Sequence, residues 1–496
     1  MILPMTDRCD ESLERLADGV EELRPAPAAE EAFRRLAVLP HCLFLDSARR
    51  DRELGRYSFI AADPFDWIEV PAGEQSGDPL AEIGRRLAAF PATPIAGLPP
   101  FQGGAAGLIS YDFARRLESL PPPRCDEFGV PALAIGLYDV VVAFDHFADR
   151  AWIVSQGFPE QDGRSRRRRA RERAEQFRHR LASPPEHGRA AANSRIANSD
   201  RRISAANLSP QYLVANSLGI GAAGDTRLTS NFAPQQYIDT VAQAIEYIRA
   251  GDIFQVNLAQ RLLCPAMDDS VSLYLRLRER NPAPLAGYFD LGEFQIVSAS
   301  PERFLRIADG LVEARPIKGT RRRTARPEAD MFAGADLRQS EKDNAENVMI
   351  VDLLRNDLAR VCQPESVVVG ELCRLEQYEF VQHLVSIVHG ELADGRSPLD
   401  LIRAAFPGGS ITGAPKIRAM QIIAELESTA RGAYCGGLGF LGFDGSMDLN
   451  ILIRTITAGR GWWQMPVGGG IVAQSNPQRE YEETWHKAEG LLRALE

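Results

Sequence analysis

The chain has 496 residues, a formal net charge of −10, 45% hydrophobic and 25% charged residues, the profile of an ordinary globular protein with room for two or three domains. The acidic balance argues against a general nucleic-acid binder, and seven scattered cysteines without a CxxC pair argue against a disulfide framework or a cysteine zinc site. No apolar run approaches 18 residues and the N-terminus MILPMTDRCDESLERL has no apolar signal core, so a soluble, cytoplasmic protein is expected.

From about residue 31 to 156, short runs such as YSFIAA (57–62) and LYDVVVAF (137–144) read as strands between Pro- and Gly-rich turns. RSRRRRARERAEQFRHRLA (164–182) reads as a basic, solvated helix, followed by SPPEHGRAAANSRIANSDRRISAANLS as a loose linker. These shifts divide the chain into an N-terminal region, 1–160, an arginine-rich insert or linker, 161–232, and a C-terminal region, 233–496. In the last region QQYIDTVAQAIEYIRAGD reads as a helix closed by Gly251, and IFQVNLAQRLL as a strand. EKDNAENVMIVDLLRNDLARV (341–361) has helical apolar spacing, and NILIRTITA (450–458) reads as one buried strand carrying Arg454. Glycines 468–470 lead into a short strand IVA, and Asn476-Pro477 marks a helix start.

Several groups could carry chemistry. Asp343 and Glu346, and again Glu480 and Glu483, stand three apart on predicted helices, so each pair presents two carboxylates in one direction. Alone, such a pair is ordinary wet surface; two facing pairs would make an all-oxygen site suited to Mg²⁺. Arg454 inside an apolar run needs a carboxylate partner, structural or substrate. FPGGSITGAPK (406–416) resembles an anion-binding loop before a helix, without Walker A spacing. GLGFLG (437–442) fits GxGxxG, but no helix is expected after it, which rejects a dinucleotide site. In RPIKGT (315–320), Lys318 reads either as a surface turn residue or as an amine whose charge can be stripped.

Taken together, AGDIFQVNLAQR, SPERF, PIKGT, EKDNAENVMIVDLLRND, VQHLVSIVHG, FPGGSITGAPK, RGAYCGGLGF, MDLNILIRT and GGGIVAQSNPQREYEET closely resemble the chorismate-binding enzymes. FLDSA (44–48) and GRYSFIAADP (55–64) resemble the anthranilate-synthase-like N-terminal region of that family. The resemblance implies an α/β (α+β) fold: two large, mostly antiparallel sheets packed as a sandwich with helices outside, both halves supplying strands.

Two positions choose among members by resemblance. Family members that use water carry a lysine base where this chain has Gln255, and a neutral amide cannot deprotonate water. Members that form anthranilate typically read PIAGT, whereas those that form aminodeoxychorismate read PIKGT. The resemblance therefore implies amination of chorismate at C4, for 4-aminobenzoate and folate synthesis; the alternative is an anthranilate-forming member. Lys318 would attack chorismate, Glu302 would protonate the departing hydroxyl, and His383 would stand beside the reacting ring. Glu346 and Glu483 would bind Mg²⁺, with Asp343 and Glu480 supporting through waters. Arg454, Tyr434, Gly469 and Gly470 would hold the enolpyruvyl carboxylate, with Ser410 and Lys487 near the ring carboxylate and Gln255 facing the substrate. A glutamine amidotransferase would supply ammonia in a transient heterodimer. Asp46 and Ser47, with Asn281 and Pro282, resemble parts of the pocket in which some members hold tryptophan, and form a candidate tryptophan site.

Overall fold

The computed structural model describes residues 19–184, 202–214, 228–322, 327–377 and 381–496. Most of the expected linker therefore lies outside the described residues. Strands from both halves of the chain join in a 13-stranded and a 10-stranded sheet. In the larger sheet Leu43–Asp46 pairs with Ala286–Asp290. In the smaller sheet Gly104–Ile109 pairs with Gly437–Gly442. Both of these joints are antiparallel, and alternating side chains from each sheet point into a shared layer. There Leu43, Phe59, Phe289 and Ile296 of one sheet meet Ala106, Leu108, Leu438 and Phe440 of the other. The helices Ala29–Leu36, Ser270–Arg280 and Pro477–Arg493 cover the larger sheet. The helices Glu341–Ala359 and Pro398–Ala405 join a core built on the smaller one. The expected sandwich is the observed fold. No helix among the described residues is long and apolar enough to cross a membrane.

Local signals set several elements where expected. The helix Pro234–Arg249 ends before Gly251, whose φ of +83° reverses the chain at low steric cost. Asn476 caps Pro477–Arg493 by accepting from the Arg479 N–H, with Pro477 at the first helical position. GLGFLG is a wholly buried strand, Gly437–Gly442, which agrees with rejecting the dinucleotide loop.

Three expectations are corrected, and two share a cause. LYDVVVAF is two strands, not one: Leu133–Tyr138 belongs to the smaller sheet and Val140–Asp145 to the larger. NILIRTITA divides in the same way between Met447–Asn450 and Thr455–Gly459, with residues 451–454 crossing from sheet to sheet. Each crossing sits in an otherwise apolar run that carries one charged residue, Asp139 or Arg454, so hydrophobic pattern reads each run as a single strand. The third correction concerns the basic helix, Gly163–Ala182, which buries Ala170, Ala174, Phe177 and Leu181. Its Arg173 is also buried and reaches Asp63 at 2.7 Å and Asp139 at 3.5 Å. Asp139 is the residue at the first crossing, so Arg173, with Arg169 of the same helix at 3.6 Å, offsets part of the cost of a charge that the sheet switch buries.

Candidate active site

A third crossing supplies the first functional group. The chain leaves the larger sheet after Phe294–Ser298 and enters the smaller at Arg303–Ala308, so Glu302 lies in the connection. This connection runs beside the crossing that carries Arg454. Ala299 N–H donates to the Arg454 carbonyl at 3.0 Å, and Ile451 N–H donates to the Glu302 carbonyl at 3.0 Å. Ser300 Oγ donates to the Ile451 carbonyl at 2.6 Å. Arg454 itself adopts φ +53°, a left-handed conformation that costs a non-glycine residue about 1 kcal/mol or more and is held here by the two crossings.

Lys318 stands on the strand Ile317–Arg322, paired with Val381–Glu391. The register slips between Lys318 and Thr320, leaving Gly319 as an extra residue at φ +73°. A Cβ at Gly319 would come within 2.8 Å of Leu337 Cδ1 and 3.1 Å of Asp343 Cγ, so glycine lets the helix Glu341–Ala359 approach the bulge closely. The Lys318 Nζ donates to the Ser410 carbonyl at 3.2 Å. Ser410 Oγ donates to Glu302 Oε1 at 2.9 Å, so one residue contacts both groups.

Burial draws the Lys318 amine below its usual value; Glu346 and Glu302 oppose that shift, Lys487 adds to it, and Glu483 opposes it. The two carboxylates Glu346 and Glu483, on different helices, thus both act on this amine. Glu302 is buried and pushed upward by that burial, against the opposing pull of Lys318, Ser410 and the Ile317 backbone. Both shifts favour the neutral forms, a free amine beside a protonated carboxyl.

Gln255 begins the strand Gln255–Pro265 and is fully buried, yet neither amide atom has a hydrogen-bond partner. A buried amide left this way marks where a ligand would bind. A Cβ at Gly470 would lie 2.6 Å from Gln255 Nε2 and 3.7 Å from Lys318 Nζ. At Gly469 it would lie 3.2 Å from Lys487 Nζ, 3.6 Å from Glu483 Oε1 and 3.7 Å from Glu480 Oε2. The glycines are not the entrance to a strand, as expected, but part of the strand Trp462–Ile471. Their bare backbone leaves the floor of the site open between these side chains.

His383, opposite Thr320 on the neighbouring strand, is pushed down to about 4 by burial, with Arg49 and Arg454 adding to the shift and the Gly319 backbone opposing it. Its imidazole is therefore neutral at pH 7. Tyr434 is buried beneath the Arg431 guanidinium, 5.9 Å from its ring. Arg431 is held by both oxygens of Glu427, at 2.9 and 2.7 Å, and donates to the Ile411 and Asn257 carbonyls at 3.0 and 2.7 Å. This clamp joins the Ser410 loop to the strand that carries Gln255. Arg431→Ala is expected to lower stability by about 3–5 kcal/mol, since it leaves Glu427 buried and unpaired; a thermal melt unchanged from the parent would contradict it.

The donor chemistry of Asp343, Glu346, Glu480 and Glu483 is all oxygen, which suits Mg²⁺. Among the described residues, no three metal-ligating side chains converge into a closed cage. The two pairs flank the amines of Lys318 and Lys487, an arrangement that would require waters and a ligand oxygen to complete a coordination sphere. FPGGSITGAPK does not offer its lysine to an anion. Lys416 Nζ is committed to Asp357 Oδ2 at 2.6 Å and the Ala405 carbonyl at 2.8 Å, tying the loop to the helix that bears Asp343 and Glu346.

Asp46 and Ser47 line a separate cavity of about 550 Å³ between the sheets, with Pro284, Arg303, Arg315 and His389 also on its wall. Asp46 is occupied by Arg278, Tyr274 and Ser58, at 2.7, 2.9 and 3.1 Å. Asn281 caps the end of Ser270–Arg280 and, with Pro282, is not on that wall. Sequence reasoning missed Arg49 and Arg431. The FLDSA stretch stops one residue short of Arg49, while Arg431 opens the RGAYCGG stretch but gives no sign of its burial.

A partly buried amine, a buried acid, an unpartnered amide and two carboxylate pairs around bare strand backbone describe an enzyme site for a small anionic substrate. The residue pattern of the family described as chorismate binding enzyme matches residues 40–493, and the chain belongs to that family. It is 39% identical over 474 residues to anthranilate synthase component 1 of Thermus thermophilus, covering 94% of each chain. It is 37% identical over 485 residues to aminodeoxychorismate synthase component 1 of Escherichia coli, covering 95% of this chain and 96% of that one. The crystal structure of anthranilate synthase component I from Streptococcus pneumoniae superposes with a TM-score of 0.70 at 28% identity, over 89% of this chain and 93% of that one.

Proposed function

We propose that this chorismate-utilising chain is component I of an aminodeoxychorismate synthase. It converts chorismate and ammonia to 4-amino-4-deoxychorismate for 4-aminobenzoate and folate synthesis, a transaminase-class amination. The observation that carries this reading is the Lys318 amine, drawn toward its free form and joined through Ser410 to the acid Glu302. Similarity to the E. coli aminodeoxychorismate synthase component supports it.

In this reaction Lys318 Nζ adds at C2 of chorismate, the ring double bonds shift, and the C4–O bond breaks. Glu302 gives its proton to the departing hydroxyl, which leaves as water. Ammonia then adds at C4, and the amine of Lys318 departs from C2 as the double bonds shift back. One hard displacement becomes two easier ones. Arg454, Tyr434 and the Gly469-Gly470 backbone hold the enolpyruvyl carboxylate, Ser410 and Lys487 stand near the ring carboxylate, and neutral His383 lies beside the ring. Mg²⁺, held by Glu346 and Glu483 with Asp343 and Glu480 through waters, would supply charge stabilisation at the ring carboxylate. Activity is expected to vanish on treatment with EDTA and return with added Mg²⁺; full activity in EDTA would refute the metal assignment.

The relatives are named component 1, which supports a second component. We read it as a glutamine amidotransferase that docks transiently and delivers ammonia, since ammonia free in solution is mostly ammonium at neutral pH. Efficient use of glutamine by the isolated chain would overturn this.

The second reading is anthranilate synthase component I, favoured by the T. thermophilus relative. Incubation with chorismate, Mg²⁺ and ammonium at mildly alkaline pH, followed by mass spectrometry, separates the two. Aminodeoxychorismate retaining its enolpyruvyl group is expected; anthranilate with released pyruvate would establish the alternative.

A further inference from the structure

The helix Pro477–Arg493 carries its own counter-ion. Glu483 and Lys487 stand one turn apart, and the Lys487 Nζ lies 2.7 Å from Glu483 Oε1. The same amine donates to the Gly468 carbonyl at 2.8 Å, which bends it over the strand backbone instead of into solvent. A Cβ at Gly469 would touch this amine and come near oxygens of both Glu483 and Glu480. Glu480 is meanwhile steadied by Ser475 Oγ at 2.6 Å from its Oε1. The ammonium therefore holds Glu483 over the same stretch of strand backbone that a Glu480 oxygen approaches. The orphaned amide of Gln255 beside Gly470 marks, independently, that ligand space begins one residue further along the same strand.

From this geometry we infer that Lys487 is a placeholder for the divalent cation: the metal displaces it from Glu483, and the released ammonium passes to the carboxylate of the incoming substrate. The inference rests on the Mg²⁺ site proposed above and adds an order to it. An ammonium and a dication compete for one carboxylate because their charges repel at this range. Without substrate, Lys487 holds Glu483 and weakens metal binding. A carboxylate ligand gives the displaced ammonium a new partner, so metal and substrate each strengthen the other's binding, by the same factor in both directions. An ordinary surface pair between residues four apart would have no such effect.

Binding of Mn²⁺ to the full chain, followed by electron paramagnetic resonance with and without chorismate and in the absence of ammonium, tests this without relying on turnover. Lys487→Met is expected to bind Mn²⁺ about fivefold more tightly than the parent without chorismate, the factor matching the upper worth of an exposed ion pair. The enhancement that chorismate brings to the parent should shrink in this variant, and Lys487→Arg should behave as the parent does. Equal or weaker Mn²⁺ binding by Lys487→Met, with binding abolished in Glu483→Gln, would overturn the exchange and leave the metal site standing. Absence of Mn²⁺ binding in the parent and in Lys487→Met, with or without chorismate, would overturn both.

Discussion

Lys318→Ala is expected to cut formation of aminodeoxychorismate by on the order of a thousandfold or more, because it removes the nucleophile rather than a binding contact. The loss should fall on kcat, with substrate binding retained through Arg454, Lys487 and the glycine backbone. The protonation state sets the pH dependence. In the proposed reaction Lys318 acts as the free amine, and desolvation lowers its pKa from the usual 10.5. Deprotonation of Lys318 should therefore contribute a rising limb with a midpoint below 10.5. Product analysis of the purified variant checks this directly. A variant that still aminates chorismate within tenfold of the parent would remove Lys318 from the mechanism.

Glu302→Gln is expected to lower kcat by about 10²–10⁴, the range for losing a positioned general acid. Glutamine keeps the size and can still accept from Ser410, so the fold and substrate binding should survive. In the proposed reaction Glu302 acts as an acid when protonated, and burial raises its pKa above the usual 4.5. Activity that depends on it falls as pH rises through that raised value. The parent profile should thus carry an alkaline-going loss that Glu302→Gln lacks, while the rise due to Lys318 remains. A variant with parental kcat, or a slow variant whose profile keeps the same falling limb, would assign the proton to another group.

Much of the architecture was readable in the chain because its causes are local. Gly251 closes its helix through a positive φ, and Asn476-Pro477 starts the last one through a side-chain cap and a preset backbone angle. The carboxylate pairs at 343/346 and 480/483 fall on helices because each pair sits within the first two turns after a capping residue, Ser340 or Asn476. Motif resemblance carried the reading further than periodicity could, since pattern alone left Glu302 without a role and Arg454 open between a structural and a substrate carboxylate.

Only the tertiary structure decided where the chain changes sheets. The crossings at Asp139, at 299–302 and at 451–454 lie inside or beside buried runs, and a strand paired in either sheet satisfies its backbone equally well. These crossings bring Glu302 and Arg454 side by side. Contacts distant in sequence likewise turned Lys416 away from anion binding and toward Asp357, 59 residues earlier. The same holds for the basic helix, whose Arg173 pairs with an aspartate that the sheet switch buries. Sequence alone could name the amine at 318 and the acids around it. Whether that amine keeps its charge depends on desolvation and on carboxylates from two separate helices, and those quantities exist only once the chain has folded.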